Sequence, residues 1–192
     1  MATVCVYCSS SAAVAPAHVE AARAFGAGLA LRGHGLVWGG AKVGLMGEVA
    51  AAARAGGAPT VGVIPESLVA REIADHDADE LIVTADMSTR KSEMARRSDA
   101  FVALPGGFGT LEELLEQLTL RLLHFHDKPL VIVDVDGFWR PLVDLFEHLY
   151  AEQFARPESR AAYVVVDGPE AGLEVLDELL RGAPAELSDE RL

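Results

Sequence analysis

The chain of 192 residues has the length of one globular domain. Hydrophobic residues make up 51% of it and charged residues 23%, so the chain can bury a core and is not intrinsically disordered. The formal net charge of −13 disfavours nucleic acid as a partner, because an acidic surface repels a polyanion. A local basic cluster could still hold a small phosphorylated ligand.

The N-terminal sequence begins directly with a short apolar stretch that lacks the basic start and cleavage site of a signal peptide. No apolar run reaches the roughly 18 residues that a membrane span requires. We therefore expect a cytoplasmic protein that has no membrane partner.

Short apolar stretches alternate with amphipathic stretches along the chain. The predicted strands are Thr3–Tyr7, Gly35–Trp38, Thr60–Ile64, Glu80–Thr84, Ala100–Leu104, Pro129–Val133 and Tyr163–Val166. The predicted helices are Pro16–Arg32, Leu45–Ala55, Thr89–Arg97, Leu111–Phe125, Phe138–Gln153 and Pro169–Arg181. Because the strands are apolar throughout, both faces of the sheet should be covered. The pattern predicts a doubly wound, Rossmann-like α/β fold, in which about seven mostly parallel strands carry helices on both faces.

The domain organisation follows from the same pattern. We expect a single domain over residues 1–181 and a loosely ordered tail over residues 182–192, which are polar and contain Pro184. The longest connection without clear periodicity is Pro65–Asp79. Long ordered loops in α/β domains often cover a site.

Two groups of residues suggest metal or redox chemistry. Cys5 and Cys8 have C-x-x-C spacing, but they fall at a predicted strand, where residues three apart point to opposite faces. No second cysteine pair completes a zinc site. His124 and His126 lie at a predicted helix end, where a solvated turn is the simpler interpretation. We expect two reduced buried thiols, no metal and no cofactor.

A glycine-rich segment, Gly39–Gly47, follows the second predicted strand. Glycines allow a backbone to approach an anion closely, and the helix that follows offers free N–H groups. The spacing matches neither a Walker loop nor the dinucleotide-binding fingerprint. The glycines could equally make a tight turn between strand and helix.

A second glycine turn, Pro105–Glu113, follows the fifth predicted strand and leads directly into a helix. The N–H groups around Gly107 to Thr110 could hold a phosphate at the positive end of that helix. Thr110 and Glu113 also have the spacing of a capping box. From spacing alone, Glu113 is equally well explained as a helix cap and as a catalytic carboxylate.

A third segment places two cations on one helix face. Met87, Arg90, Lys91 and Met94 have the i, i+3, i+4, i+7 spacing of residues that share a face. Methionines at these positions normally face a core, where cations are costly unless they meet an anion. The alternative is a helix end whose cations extend into water.

Taken together, these segments resemble the LOG ("lonely guy") family of cytokinin-activating phosphoribohydrolases. The strings P-G-G-x-G-T-x-x-E at Pro105–Glu113 and M-x-x-R-K at Met87–Lys91 are similar to the paired signatures of the family. Cys5–Ser11 and Gly39–Gly47 resemble its serine loop and its G-G-x-x-x-G-L-M-G loop, and the similarity covers about residues 3–180. The resemblance implies a Rossmann-like fold without a bound dinucleotide. It also implies hydrolysis of N6-substituted adenosine 5′-monophosphates to free base and ribose 5-phosphate, by a homodimer with a shared site.

The resemblance also implies site residues. It makes Arg90 and Glu113 the catalytic pair. Substrate contacts are implied at Glu72, Lys91, Gly106, Gly107, Phe108, Gly109, Thr110, Leu111, Glu112 and Thr119. Further loop contacts are expected at Ser9, Gly40, Gly44, Met46, Met87 and Met94.

The sequence departs from the commonest plant-like pattern of the family near the expected base pocket. Trp38 replaces a usual tyrosine, Ala41 replaces a usual third glycine, and no tryptophan follows Thr119 closely. Two alternatives accompany the cytokinin nucleotide hydrolase: a broad AMP nucleosidase, which these departures leave open, and a non-catalytic nucleotide or cofactor carrier on the same fold, because fold alone does not determine function. The family also carries an older label of lysine decarboxylase, for which the sequence offers no lysine in a pyridoxal-binding context.

Overall fold

A computed structural model describes residues 1–70 and 73–182, and within them a seven-stranded sheet forms the centre of the molecule. The strands are β1 (Thr3–Tyr7), β2 (Gly35–Trp38), β3 (Thr60–Pro65), β4 (Glu80–Thr84), β5 (Ala100–Ala103), β6 (Leu130–Asp134) and β7 (Val164–Asp167). The helices are α1 (Pro16–Leu31), α2 (Gly44–Ala55), α3 (Glu66–Val69), α4 (Met87–Arg96), α5 (Phe108–Leu122), α6 (Arg140–Ala151) and α7 (Gly168–Arg181). Every pair of neighbouring strands is parallel, which confirms the predicted fold class.

The continuous apolar strands are explained by two cores, one on each face of the sheet. Val4 and Val6 of β1 pack with α1, α2 and α7 on one face. Cys5 and Tyr7 of the same strand pack with α4, α5 and α6 on the other. Alternate residues of a strand point to opposite faces, so a strand covered on both sides is apolar at every position.

The two cysteines follow this division. Cys5 and Cys8 belong to opposite cores, and both thiols are free and buried. Burial raises the pKa of the Cys5 thiol to about 12, so it is protonated at neutral pH. This arrangement agrees with the expected pair of reduced, buried thiols.

Two short elements were not predicted. Helix α3 lies within the long connection after β3, and a 3₁₀ helix spans Pro157–Ala162 before β7. Both are too short to show a helical period of apolar residues. The part of the chain described holds no helix that is long and apolar enough to cross a membrane. Apart from Gly182, the predicted tail lies outside the described residues.

The order of the strands, β4-β3-β2-β1-β5-β6-β7, determines where a ligand can bind. From β1 the chain winds outward through β2, β3 and β4, and from β5 it winds the other way through β6 and β7. Ligands of open parallel sheets bind outside the carboxyl ends of the strands, at the point where the winding reverses. In this sheet that point lies between β1 and β5.

Candidate functional site

A cavity of about 460 Å³ lies at the carboxyl ends of β1, β2 and β5. Its described lining residues are Cys8, Ser9, Ser10, Ser11, Gly39, Ala41, Met46, Leu68, Ile73, Met87, Arg90, Gly107, Phe108, Gly109, Thr110, Glu112 and Glu113. The residues that follow β1 and β5 are mostly polar or glycine. The residues that follow β3, Leu68 and Ile73, are apolar. The cavity therefore offers different chemistry toward the two sides of the sheet.

The N-terminus of α5 borders the polar side of the cavity. Gly107 is the extended residue before the helix, so the N–H groups of Phe108, Gly109 and Thr110 have no partner within the helix. Thr110 is buried against Gly106, where an added Cβ would lie 2.1 Å from the Thr110 Oγ1. Free N–H groups and the helix dipole make this end suited to an anion.

Arg90 and Glu113 form an ion pair that is almost completely buried at the floor of the cavity. The Arg90 Nη1 lies 3.3 Å from the Glu113 Oε1, and the two residues are only 5% and 4% exposed. The Arg90 Nε donates a hydrogen bond of 3.1 Å to the carbonyl oxygen of Val63, on β3. A buried guanidinium with two such partners is held in place, so Arg90 does not extend into water.

The environment of Glu113 disfavours its charge. The pKa of Glu113 is raised to about 7: burial is the largest cause, the Arg90 guanidinium opposes it, and the charge of the nearby Glu112 adds to the rise. A carboxyl group that titrates near neutral pH in a cavity is typical of a functional site.

The capping-box interpretation of Glu113 is wrong. Helix α5 begins at Phe108, which makes Thr110 its third residue rather than its cap, and Glu113 lies in the second turn. The glycine turn lets the chain enter the helix at Phe108, three residues before the predicted start at Leu111. Glu113 consequently has no cap N–H to bond, and its carboxylate faces Arg90 instead.

Helix α4 carries Arg90 into the cavity from the other side. The Asp86 carboxylate accepts a hydrogen bond of 2.7 Å from the Thr89 N–H, so the helix begins at Met87, two residues earlier than predicted. Arg90 lies one turn into the helix. Met87 lies at the cavity with its sulfur 3.8 Å from the Arg90 Nη1.

Lys91 pairs with carboxylates of α5, one of which, Glu112, lines the cavity. Its Nζ contacts the Glu112 carboxylate and lies 2.9 Å from the Glu116 Oε1, so it joins α4 to α5. It therefore does not extend freely into water, and it does not line the cavity either.

Other expected contacts are not brought to the cavity of the same chain. Met94 is buried in the core between α4 and the sheet, which also removes it from any interface. Thr119 lies on the outer face of α5, where its hydroxyl donates to the Leu115 carbonyl oxygen at 2.7 Å. The remaining predicted contacts that do not line the cavity are Gly40, Gly44, Gly106 and Leu111. Glu72 lies outside the described residues.

Gly40 and Gly44 have a conformational role. Their φ angles are +70° and +57°, a region that favours glycine. They shape the turn between β2 and α2, which was one of the two interpretations of this segment.

A covering segment, residues 73–75, closes the cavity on its apolar side. The Lys42 N–H donates to the Ile73 carbonyl oxygen at 2.9 Å, and the Asp75 N–H donates to the Gly40 carbonyl oxygen at 2.8 Å. The buried Asp75 carboxylate also pairs with the Arg54 Nη1 at 2.9 Å. These contacts fix Ile73 at the cavity wall.

Several lining residues were given no individual role from the sequence. They are Cys8, Ser10, Ser11, Gly39, Leu68 and Ile73. The serines and Gly39 directly follow strands, and that position was the available signal. Leu68 and Ile73 lie in the long connection, where no periodicity marked them.

The two histidines differ in their surroundings. His124 is exposed, but His126 is partly buried, and its ring centroid lies 5.3 Å from that of Phe101. The expectation of a solvated turn is therefore wrong for His126, because Phe101 offers an apolar surface beside it. Among residues 1–70 and 73–182, no group of three or more His, Cys, Asp or Glu residues is arranged to hold a metal ion.

Comparison with known proteins gives a consistent set of relatives. A family model described as "Possible lysine decarboxylase" matches residues 46–176. A cytokinin riboside 5′-monophosphate phosphoribohydrolase of Mycobacterium tuberculosis is 51% identical over 168 residues, covering 86% of this chain and 88% of the relative. One of Arabidopsis thaliana is 43% identical over 168 residues, covering 88% of this chain and 78% of the relative.

Solved structures share the fold at lower identity. The molybdenum cofactor binding protein of Rippkaea orientalis has a TM-score of 0.72 at 23% identity, covering 93% of this chain and 97% of that chain. The molybdenum cofactor carrier protein of Chlamydomonas reinhardtii has a TM-score of 0.72 at 25% identity, covering 94% and 99%. The fold is therefore shared by proteins whose names describe catalysis and by others whose names describe carriage.

Proposed function

Because the chain belongs to the LOG family of cytokinin riboside 5′-monophosphate phosphoribohydrolases, we propose that it hydrolyses the N-glycosidic bond of an N6-substituted adenosine 5′-monophosphate. The products are the free base and ribose 5-phosphate. Although the family model is described as a possible lysine decarboxylase, the described cavity lining includes no lysine that could form a Schiff base.

The observation that carries the proposal is the buried Arg90–Glu113 pair beside the N-terminus of α5. The free N–H groups of Phe108, Gly109 and Thr110 suit the 5′-phosphate. Glu113 lies one turn further along the same helix, so a nucleotide anchored by its phosphate would bring its ribose toward the carboxylate. One helix then holds the anion and carries the reacting group.

Glu113 has the chemistry that cleavage of a ribosyl–base bond requires. As the bond to the base lengthens, positive charge develops on the ribose, as in glycoside hydrolysis. A carboxylate in a site of low dielectric stabilises that charge strongly, and it can orient or deprotonate the attacking water. Ionised Glu113 is therefore the active form, and Arg90 holds it in place and favours its charge.

The apolar side of the cavity indicates which base the site prefers. Leu68, Ile73 and Met87 present hydrocarbon and thioether surface to the space beside the polar residues. An apolar N6 substituent gains free energy on leaving water for such a wall. This supports a preference for N6-substituted adenine over adenine itself. A broad AMP nucleosidase is the alternative within the same chemistry.

We also propose that the active form is a homodimer. The outer face of α5 exposes Leu115, and Leu123 and Phe125 are exposed just beyond its end. Thr119 is exposed on this outer face, whereas Glu113 is buried at the cavity. If Thr119 contacts substrate, as the resemblance implies, it must do so in the cavity of a second protomer.

A cytoplasmic location belongs to the same proposal. It is supported by the two free, buried thiols, since cysteines remain reduced in that compartment. Recovery of the native protein in the periplasmic or culture fraction of its source cells would contradict it.

The deciding experiment measures base release by the purified protein. Isopentenyl-AMP, AMP and adenosine are supplied in turn, and free base and ribose 5-phosphate are quantified. We expect turnover of the monophosphates and little turnover of adenosine, because the helix N-terminus binds the phosphate. Glu113→Gln and Arg90→Ala should each abolish release while the melting curve stays cooperative.

Each alternative predicts a different result. Binding of nucleotide without base release in wild type would favour the carrier. Equal kcat/KM for AMP and isopentenyl-AMP would favour the broad nucleosidase. Near wild-type rates in both variants would refute the catalytic assignment.

A further inference from the structure

We infer that Gly39 is a positioning residue, whose missing side chain leaves the space in which the Arg90 guanidinium lies against Glu113. The inference rests on the proposed function, in which that guanidinium holds the catalytic carboxylate. Gly39 is the first residue after β2, and the sequence assigned it no individual role.

The geometry at Gly39 is specific to Arg90. A Cβ built on Gly39 would lie 1.8 Å from the Arg90 Nη2 and 3.0 Å from its Cζ. Real Cβ atoms do not approach other heavy atoms so closely. The next contact, to the Met46 sulfur, is 3.2 Å and could relax. A side chain at position 39 would therefore occupy the place of the guanidinium itself.

The backbone of Gly39 gives no other reason for glycine. Its φ lies outside the left-handed region, unlike that of Gly40 at +70°. Alanine could adopt the conformation of residue 39 without strain. Gly40 is thus required by the turn, whereas Gly39 is required by the Arg90 guanidinium that lies over it.

The space over Gly39 also determines which direction the guanidinium faces. The Val63 carbonyl oxygen accepts from the Nε at 3.1 Å, and the Nη1 faces Glu113 at 3.3 Å. The remaining nitrogen, Nη2, lies against the Gly39 backbone. Because the guanidinium is planar and rigid, displacing Nη2 also rotates Nη1 away from the carboxylate. The long arginine side chain can move without unfolding its helix, so the effect falls on the site.

The test is Gly39→Ala, measured by base release from isopentenyl-AMP and by thermal melting. We expect kcat to fall about 100-fold, the scale for loss of one preorganised electrostatic contact. The pH of half-maximal kcat/KM should rise, because Glu113 loses a nearby positive charge. The matched control is Gly35→Ala at the other end of β2, where an added Cβ meets nothing nearer than the Pro59 carbonyl oxygen, at 3.3 Å. This control should keep the wild-type rate and pH profile.

A double-mutant cycle separates positioning from a general effect on the backbone. In an Arg90→Ala background there is no guanidinium to displace, so Gly39→Ala should leave the unfolding midpoint unchanged there while shifting it in wild type. Equal shifts in both backgrounds, or a wild-type rate and pH profile in Gly39→Ala alone, would overturn the inference. Failure of the proposed function appears differently, as absent base release in wild type. In that case the double-mutant cycle of unfolding midpoints still tests whether Gly39 makes room for the guanidinium.

Discussion

At the scale of single residues, the site is governed by one carboxyl group kept out of water. Glu113 is buried against the Arg90 guanidinium, and its pKa is raised to about 7. Such a group is half ionised near neutral pH, so small changes around it alter the active fraction. Two consequences of this ionisation can be measured, one in activity and one in stability.

We predict that kcat/KM for isopentenyl-AMP rises with pH through about 7, because the ionised Glu113 is the active form. The second ionisation of the substrate phosphate, at about pH 6, is a separate step that phosphorus NMR can titrate. A pH–rate profile between pH 5 and 9 decides the point. A rate that falls through neutral pH would mean that the protonated acid is the active form.

The same shift affects stability. The pKa of Glu113 in the folded state is raised above its unfolded value of 4.5, so the folded state favours the protonated form. The stabilisation that this gives is fully present below pH 4.5 and is lost as pH rises through 7. A shift of this size corresponds to about 3 kcal/mol. We expect the free energy of unfolding of wild type to fall relative to that of Glu113→Gln across this window. Denaturant titrations of both proteins at pH 4.5 and pH 8 measure it, and parallel pH dependence would contradict it.

The role of Glu113 also shows how far spacing alone can reach. Thr110 and Glu113 have capping-box spacing whichever residue begins the helix, and the sequence pattern placed that beginning at Leu111. The structure begins α5 at Phe108, because Gly107 supplies the extended residue before it. The presence of Glu113 near the start of the helix was predictable from the sequence. Its pairing with Arg90 was not, because it depends on the residue at which the helix begins.

At the scale of elements, the pairing of α4 with α5 sets the geometry of the site. Lys91 on α4 contacts Glu112 and Glu116, which flank Glu113 on α5. Those two carboxylates raise the pKa of Glu113, and the Lys91 charge lowers it. A residue that the resemblance assigned to substrate therefore acts here between helices.

We predict that Lys91→Met lowers kcat/KM at pH 7 about fivefold, which is the fall in the ionised fraction of Glu113 when its pKa rises by about one unit from 7. The rising limb of the pH–rate profile should move to higher pH. The matched control is Arg96→Met, because Arg96 is exposed and its partner on the same helix is Glu93. If Lys91 instead bound substrate, KM would rise and the limb would stay in place.

A change in the covering segment should alter KM rather than kcat. Asp75 pairs with Arg54 and thereby fixes Ile73, which lines the cavity but lies apart from the reacting pair. We predict that Asp75→Asn raises KM for isopentenyl-AMP about tenfold, on the scale of one lost partly buried ion pair, with kcat nearly unchanged. Asp77→Asn, at an exposed position two residues on, is the control. A fall in kcat at constant KM would contradict a purely anchoring role.

Helices long enough to show a period were predicted within a few residues of their ends, whereas α3 was not. Four residues cannot display a 3.6-residue repeat, and the contacts that fix the segment after α3 are backbone hydrogen bonds. Backbone hydrogen bonds leave little trace in residue type. The segment that closes the cavity was therefore the least predictable part of the site.

At the scale of the whole molecule, alternation of strands and helices predicted the sheet but not its order. The same pattern fits more than one doubly wound arrangement, because each places its strands with right-handed crossovers. The observed reversal between β1 and β5 brings the serine loop beside the glycine turn of α5. Motifs about a hundred residues apart thus meet at one crevice, a proximity that spacing along the chain does not encode.

The remaining prediction concerns assembly. The side chains of Leu123 and Phe125 are 55% and 74% exposed at the end of α5, next to the outer face that carries Leu115. Apolar surface of this kind gains free energy when a second copy covers it, and two-fold dimers are the commonest symmetric assembly. We predict that wild type sediments as a dimer at micromolar concentration, and that Leu123→Glu with Phe125→Glu yields a folded monomer.

The control for this prediction is Phe154→Glu, since Phe154 is 84% exposed but lies beyond the end of α6. It should leave the dimer intact. If added negative charge disrupted the dimer in a general way, Phe154→Glu would disrupt it as well. If Thr119 completes the cavity of the other protomer, the monomeric variant should also lose base release while its melting curve stays cooperative. Sedimentation and turnover of the same samples measure both effects. A wild-type monomer with full activity would refute the dimer, and a fully active monomeric variant would show that each cavity is complete in one chain.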